Sequence, residues 1–402
     1  MIKEDYRAKE IKELYDRWSN AREDWDTAAR EDIDFYLGNH FSEAEAEELA
    51  SRNQSAVPMD RLYSAIEQFK AIITSKPPKF TAVAREDSDA KLSSVWRVIL
   101  EYIWDNSDGN EQFKQAVHDY AVTGLGYFYA YIDKEADYGR GEIKFKHLNP
   151  FKVYVDPNSR HMYFDDASGI MVSHIMSKMQ LLDAYPQLAQ PYEEDSDKML
   201  IDYIDTESDE DYPSHQNRRT MDSFTPDVVK DYDYKNSSEK YRLMEYYTKT
   251  RVPYYRLLDK RVNQERIVAQ EQFEKLSQDK DFLNAIDKGF IDFVEVQQTR
   301  IRQVLVLGQI VLSDLVLDTD IYPVVPVPNI WTNTPYPMSD VRKNKDFQRF
   351  LNKVVSLITS HAQASSGLKL LIPQGSVQDI EELERDWANP NATLEYLSLI
   401  HI

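Results

Sequence analysis

Three aspartates, Asp156, Asp165 and Asp166, lie close together in the sequence. Clustered carboxylates hold the magnesium ions that metal-dependent nucleases use, so the trio could be cast as such a ligand set. The same residues have a turn reading, which carries more weight. In Asp156-Pro157-Asn158-Ser159 an aspartate can accept backbone N–H groups and proline fixes the next φ. A second constellation is cationic. On a helix, Lys345, Arg349 and Lys353 fall on one side with Arg342 close by, opposite Phe347, Phe350, Leu351, Val354 and Ile358. Such a stripe can face a polyanion in a pore. More usually it is solvated or pairs with an acidic neighbouring helix.

Other catalytic signatures are missing. There is no phosphate-binding loop and no Gly-x-Ser-x-Gly elbow. Gly124 and Gly126 are not followed by the helix a dinucleotide site needs. The eight histidines are scattered without a zinc-binding helical pair, and His118 reads as a packing or surface residue. The chain therefore reads as no enzyme, with no cofactor and no metal.

The elements that would position these groups belong to a folded chain of 402 residues, long enough for two or three domains. Its 26 tyrosines suit surfaces that meet other surfaces, because the ring buries while the hydroxyl stays wet. The absence of cysteine rules out disulfides and thiolate zinc sites and fits a reducing compartment. A net charge of -21 opposes general binding to nucleic acid but not a channel along which DNA slides without sticking. No segment resembles a signal peptide or a bilayer span.

Apolar periodicity predicts helices over 8–36, 58–75, 89–106, 111–123 and 340–361, and a charged helix over 260–288. Strands are predicted over 127–133, 142–148, 170–175, 241–258 and 394–402. A further strand-rich stretch, 290–317, turns at Gly308. A short helix over 177–185 starts at Ser177 as N-cap and stops before Pro186. The stretch 193–211 is so acidic, with Lys198 its single base, that a solvated linker is expected. The five prolines of 323–337 require an extended connector, and Ser365-Ser366-Gly367 should break the last helix.

These features occur in an order that resembles the portal (head-to-tail connector) proteins of tailed bacteriophages, especially short-tailed and crAss-like ones. The order runs from Phe35-Tyr36-Leu37-Gly38 to Ser75-Lys76-Pro77-Pro78-Lys79-Phe80, then Gly124 and Gly126. Pro150, Val153, Asp156, Pro157 and Asp166-Ala167 follow, then Glu245-Tyr246-Tyr247 and Pro323 to Pro326. Last come Asp346, Gln348 and Asn352 on a helix.

The resemblance implies an α+β portal-like fold: a helical and β wing over 1–258, stem helices over 259–288 and 338–364, and a small α/β clip over 289–337. Residues 365–402 would form a channel loop, starting at Ser365, Ser366 and Gly367, and return to the wing. Against the resemblance, the C-terminal crown of the family is expected to be missing, as in a truncated product. The implied partners are further copies in a ring of usually twelve, a terminase, a head-tail adaptor, capsid and scaffold proteins, and double-stranded DNA, with no membrane. The implied location is the capsid portal vertex of the virion, with host cytoplasm during assembly. On this view Arg342, Lys345, Arg349 and Lys353 are rungs of the DNA channel. The alternatives are a metal-dependent nuclease at Asp156, Asp165 and Asp166, or another virion neck or adaptor protein.

Overall fold

A computed structural model describes residues 6–51, 56–84, 90–192, 195–204, 240–260 and 264–366. The chain divides into two units. One comprises Met1–His40 with Pro58–Phe350, the other Phe41–Val57 with Leu351–Ile402. The architecture mixes helix and sheet, an α+β fold.

In the first unit, helix α1 (Tyr6–Tyr36) buries Ala8, Ile11, Trp18, Arg22, Trp25, Ala29, Asp32 and Tyr36. These recur at steps of three and four, with one step of seven from Ile11 to Trp18, so they form one continuous stripe. Two members of that stripe, Arg22 and Asp32, are charged.

Two sheets form the β body. In the smaller, β1 (Leu125–Asp133) lies between β2 (Glu142–Leu148) and β11 (Val324–Pro328), all antiparallel. The proline-rich connector thus begins as an edge strand, where Pro326 and Pro328 can lack a ladder donor on one side. The larger sheet contains β3 (Val153–Val155), β4 (Gly169–Ser177), β7 (Lys240–Asp259), β9 (Ile291–Leu307) and β10 (Ile310–Leu317). Its order is β10-β9-β7-β4-β3, with β8 (Gln264–Ala269) added beside β7. Gly308, at φ 58, makes the β9–β10 turn.

Successive residues of the larger sheet serve opposite faces. Ile170, Val172, Tyr247 and Ile301 pack with Tyr127, Tyr129 and Val324 of the smaller sheet, and with Trp25 and Ala29. Met171, Met244, Val304 and Val306 instead pack with Ala8, Ile11 and Trp18 of α1. The buried Glu245 joins the two sheets. It accepts from Tyr129 (3.0 Å), Tyr247 (2.6 Å) and the Gln303 amide, with His174 Nε2 at 3.2 Å. Burial would raise its carboxyl, but the hydrogen bonds from His174, Tyr247 and Gln303 outweigh that and hold it below the usual range.

Helices α3 (Leu62–Thr74), α4 (Ala90–Asn106) and α5 (Gly109–Val122) match the expected ones closely. Helix α7 (Lys178–Ala184) starts as expected at Ser177, which forms a reciprocal capping box with Gln180. Helix α6 (Ala136–Gly139) is a single turn between β1 and β2.

Three differences from the sequence reading have physical causes. First, 260–288 is not one helix. It holds β8 followed by the short helices α8 (Gln270–Leu276) and α9 (Lys280–Asp287). The β-branched pair Ile267-Val268 finds a partner strand in β7, and tertiary pairing overrides the charged helical pattern. Second, the acidic stretch is not all linker. Part of it forms β6 (Asp195–Met199) against β5 (Pro191–Tyr192), and Leu200, Ile201 and Ile204 enter a core. The rest of it, and the expected strand over 394–402, lie outside the described residues. Third, the second unit contains α2 (Glu43–Ser51), which the sequence reading lacked. Its start is marked by Ser42 and Glu45, whose side chains and backbone N–H groups bond reciprocally.

Candidate functional site

The cationic stripe lies on α10 (Asp340–Ser366), whose residues up to Phe350 belong to the first unit. The Ser339 hydroxyl accepts from the Arg342 N–H at 2.8 Å and caps the helix start. The same hydroxyl donates to Asp32 Oδ2 at 2.9 Å. Arg342 Nε lies 2.9 Å from Asp32, and Lys345 Nζ lies 2.8 Å from Asp32 and 3.1 Å from Glu31. Arg349 reaches Glu31 at 2.7 Å from a half-exposed position. Burial would raise the Glu31 carboxyl, yet Lys345 and Arg349 hold it below its usual range.

This is the acidic-neighbour arrangement: the acids come from the end of α1. Lys345 is buried, so its charge serves the helix seat. Gln348, also buried, accepts from the Leu62 N–H at 3.1 Å and donates to the Met59 carbonyl at 2.7 Å. It thereby satisfies the start of α3. The polar side of α10 therefore faces the body, and the apolar residues Phe347 and Phe350 are 78% and 67% exposed.

In the second unit α10 continues with Asn352 and Ser356 buried and Leu357 and Ile358 exposed. Ser356 accepts from the Val57 N–H at 3.3 Å. Lys353 is exposed, with no ion-pair partner among the described residues. Ser365 and Ser366 are the last helical residues, so the helix runs further than 361. Gly367 lies outside the described residues.

The aspartate trio organises a loop. Asp156 accepts from the Asn158 N–H at 2.9 Å and from the Ser168 N–H and hydroxyl. Asp166 accepts from the Ser159 hydroxyl at 2.6 Å and from the Arg160 and His161 N–H groups. Asp165 is exposed beside His161 at 3.3 Å. Burial alone would raise the Asp156 and Asp166 carboxyls, but these donors outweigh it and hold both below the usual range. The loop also buries Phe164 in the core between the sheets. The carboxylates act as turn acceptors, and the described residues contain no grouping of three suited to a metal ion.

Three further residues make close contacts in the first unit. Arg22 NH2 donates to the Phe151 carbonyl at 2.9 Å, and NH1 donates to the carbonyls of Pro150 and Val153. Its guanidinium lies 3.9 Å from the Tyr154 ring centre. Gly124 adopts φ 89, and a Cβ there would lie 2.7 Å from the Met338 backbone. A Cβ at Gly126 would lie 2.5 Å from the Ala116 carbonyl oxygen. The Gly-x-Gly pair serves close backbone packing. Sequence reasoning missed the roles of Asp32, Gln348 and Arg22. A usable signal existed for two of them, since a charge on the core stripe of a helix demands a partner.

Among the described residues no helix is long and apolar enough to cross a membrane. No curated protein matches the sequence. A model for the family described as Phage P22-like portal protein matches residues 12–399. That span covers the capped α10, the seat on α1, the aspartate loop and both glycines, and the family is structural rather than catalytic. The chain belongs to the P22-like phage portal protein family.

Proposed function

We propose that this chain is the subunit of a portal ring at one capsid vertex of a short-tailed or crAss-like phage. About twelve copies surround a channel through which double-stranded DNA is packaged and later ejected. The ring docks the terminase, then the head-tail adaptor, within a shell of capsid and scaffold proteins. The observation that carries this reading is the family match over 12–399, since that family forms homo-oligomeric rings in phage capsids. Two physical features support it. The net charge of -21 suits a wall to which DNA does not adhere. The exposed Phe347 and Phe350, on a helix whose polar side is buried, suit an assembly surface.

In this reading 1–258 is wing, 259–288 and 338–364 belong to the stem, and 289–337 to the clip. The first stem segment is built from β8, α8 and α9 in place of one helix. Residues 365–402 form the channel loop and the return to the wing. Of the basic candidates, Arg342 and Lys345 anchor α10, while Arg349 and Lys353 keep exposed charge for the channel. Ser365, Ser366 and Gly367 start the channel loop.

The double variant Arg349→Gln, Lys353→Gln tests the channel role. Rings are expected to form as before, while DNA packaged or retained per particle, measured by nuclease protection, changes by severalfold. Unchanged packaging in intact rings would remove both residues from the channel.

A further inference from the structure

Part of the larger sheet extends beyond the core as a three-stranded arm. The far end of β7 pairs on one side with β8, from Tyr254↔Ala269 to Asp259↔Gln264. On the other side it pairs with the first half of β9, from Pro253↔Gln297 to Asp259↔Ile291. Strand β10 joins β9 only from Ile301 onward. Among the described residues, β8 and residues 291–300 of β9 therefore each have one open edge, on opposite sides of the arm.

Helix α8 covers one face, with Phe273 stacked on Tyr255 at 3.9 Å and 5.2 Å from Phe293. The other face carries the exposed Ile267, Val294 and Val296.

The β9 edge has a definite polarity. The Lys260 N–H donates to the Phe290 carbonyl, so even-numbered residues of β9 bond toward β7. The Ile301 N–H turns the other way, to Thr319. Phe293, Glu295 and Gln297 therefore aim their backbone groups outward. Neither edge contains proline, lysine or a bulge, three of the devices that normally keep open strands apart, though both carry other charges, Glu265 and Arg266 on β8 and Asp292, Glu295 and Arg300 on β9.

We propose that the open edge of β8 in one copy pairs with the open edge of β9 in the next, so that the arms form one sheet around the ring. This rests on the ring reading above and deepens it. Two different edges meeting head to tail is the contact that a closed ring requires. Both β8 and β9 run antiparallel to β7, hence parallel to each other. Rotation about a ring axis preserves direction along that axis, so the pairing between copies is parallel. Charge agrees: Arg266 on β8 and Glu295 on β9 share a face, and Arg266 is exposed with no ion-pair partner among the described residues. Main-chain pairing of open edges is a general mode of protein association.

The chain has no cysteine, so introduced thiols report cleanly. Ile267→Cys is combined with Val294→Cys in one variant and with Val296→Cys in another, which samples two registers. Within one chain these positions flank β7, two strand spacings or about 9.6 Å apart. That exceeds the reach of a disulfide, about 7 Å between Cα atoms. Oxidation of the assembled full chain is expected to give a ladder of covalent multimers from at least one double variant, and monomers from every single variant. Intact rings with no ladder from either pair would overturn the edge pairing and leave the ring reading standing. A covalent dimer from a single variant would also overturn it, because like edges would then be meeting. A protein that forms neither rings nor ladders would refute both.

Gln297→Pro supplies an independent readout. It removes one outward N–H and keeps the β7 ladder, so assembly should require about tenfold more protein. Assembly at the wild-type concentration would count against the pairing.

Discussion

Asp32→Ala lowers stability by about 3–5 kcal/mol, the usual effect of removing one partner from a buried ion pair. Asp32 is fully buried, and three groups from the start of α10 converge on it: the Ser339 hydroxyl, Arg342 Nε and Lys345 Nζ. Without the carboxylate, Lys345 would remain buried with only the half-exposed Glu31 for a partner. The loss should appear as a lower urea midpoint, with α10 among the first elements to exchange its amide hydrogens. Adding Lys345→Met should recover much of it, since the stranded ammonium is then replaced by an apolar chain of similar length. A loss below about 1 kcal/mol in Asp32→Ala would place the pair among weak surface bridges and remove it as the seat of α10.

Arg22→Met is expected to cost about 3–5 kcal/mol by a different route. The guanidinium serves the carbonyls of Pro150, Phe151 and Val153 together, and each buried acceptor left without a donor costs about 1–3 kcal/mol. Asp26, 3.0 Å away, would lose its cation as well. Burial already holds the Asp26 carboxyl above its usual range, so it can take up a proton when Arg22 is gone, which limits the total. Arg22→Lys should recover only part of the loss, because one ammonium on a flexible stem cannot match the planar fork. Chemical denaturation of the three proteins checks this order. Equal stability of all three would mean that the carbonyls find water instead.

The helices and long strands were legible because their apolar spacing is regular. The α1 stripe, the capping box at Ser177 and the turn at Gly308 all stand in the sequence as local patterns. The aspartate loop was legible as a turn for the same reason, since Asp156 accepts from the Asn158 N–H two residues on, while its bonds to Ser168, twelve residues on, were not. The segment 260–288 was misread because its helical charge pattern is local, while β8 owes its state to a distant strand.

The α10 stripe shows the limit most clearly. Its amphipathic pattern is real, but pattern alone does not say which side a helix presents to its own body. A helix seated by its apolar stripe alone would bury Phe347 and Phe350. Here the acids of α1 and the open N-terminus of α3 take the polar side, because Lys345 and Gln348 satisfy groups that Phe could not. That choice depends on residues about three hundred positions away, which no window along the chain can see.

The most direct test of the account is electron microscopy of the purified full-length chain at high concentration, paired with native mass measurement. Closed rings with a central hole, about twelve copies in each, are predicted. A monodisperse monomer under those conditions would contradict the claim that this fold is made to surround a DNA channel.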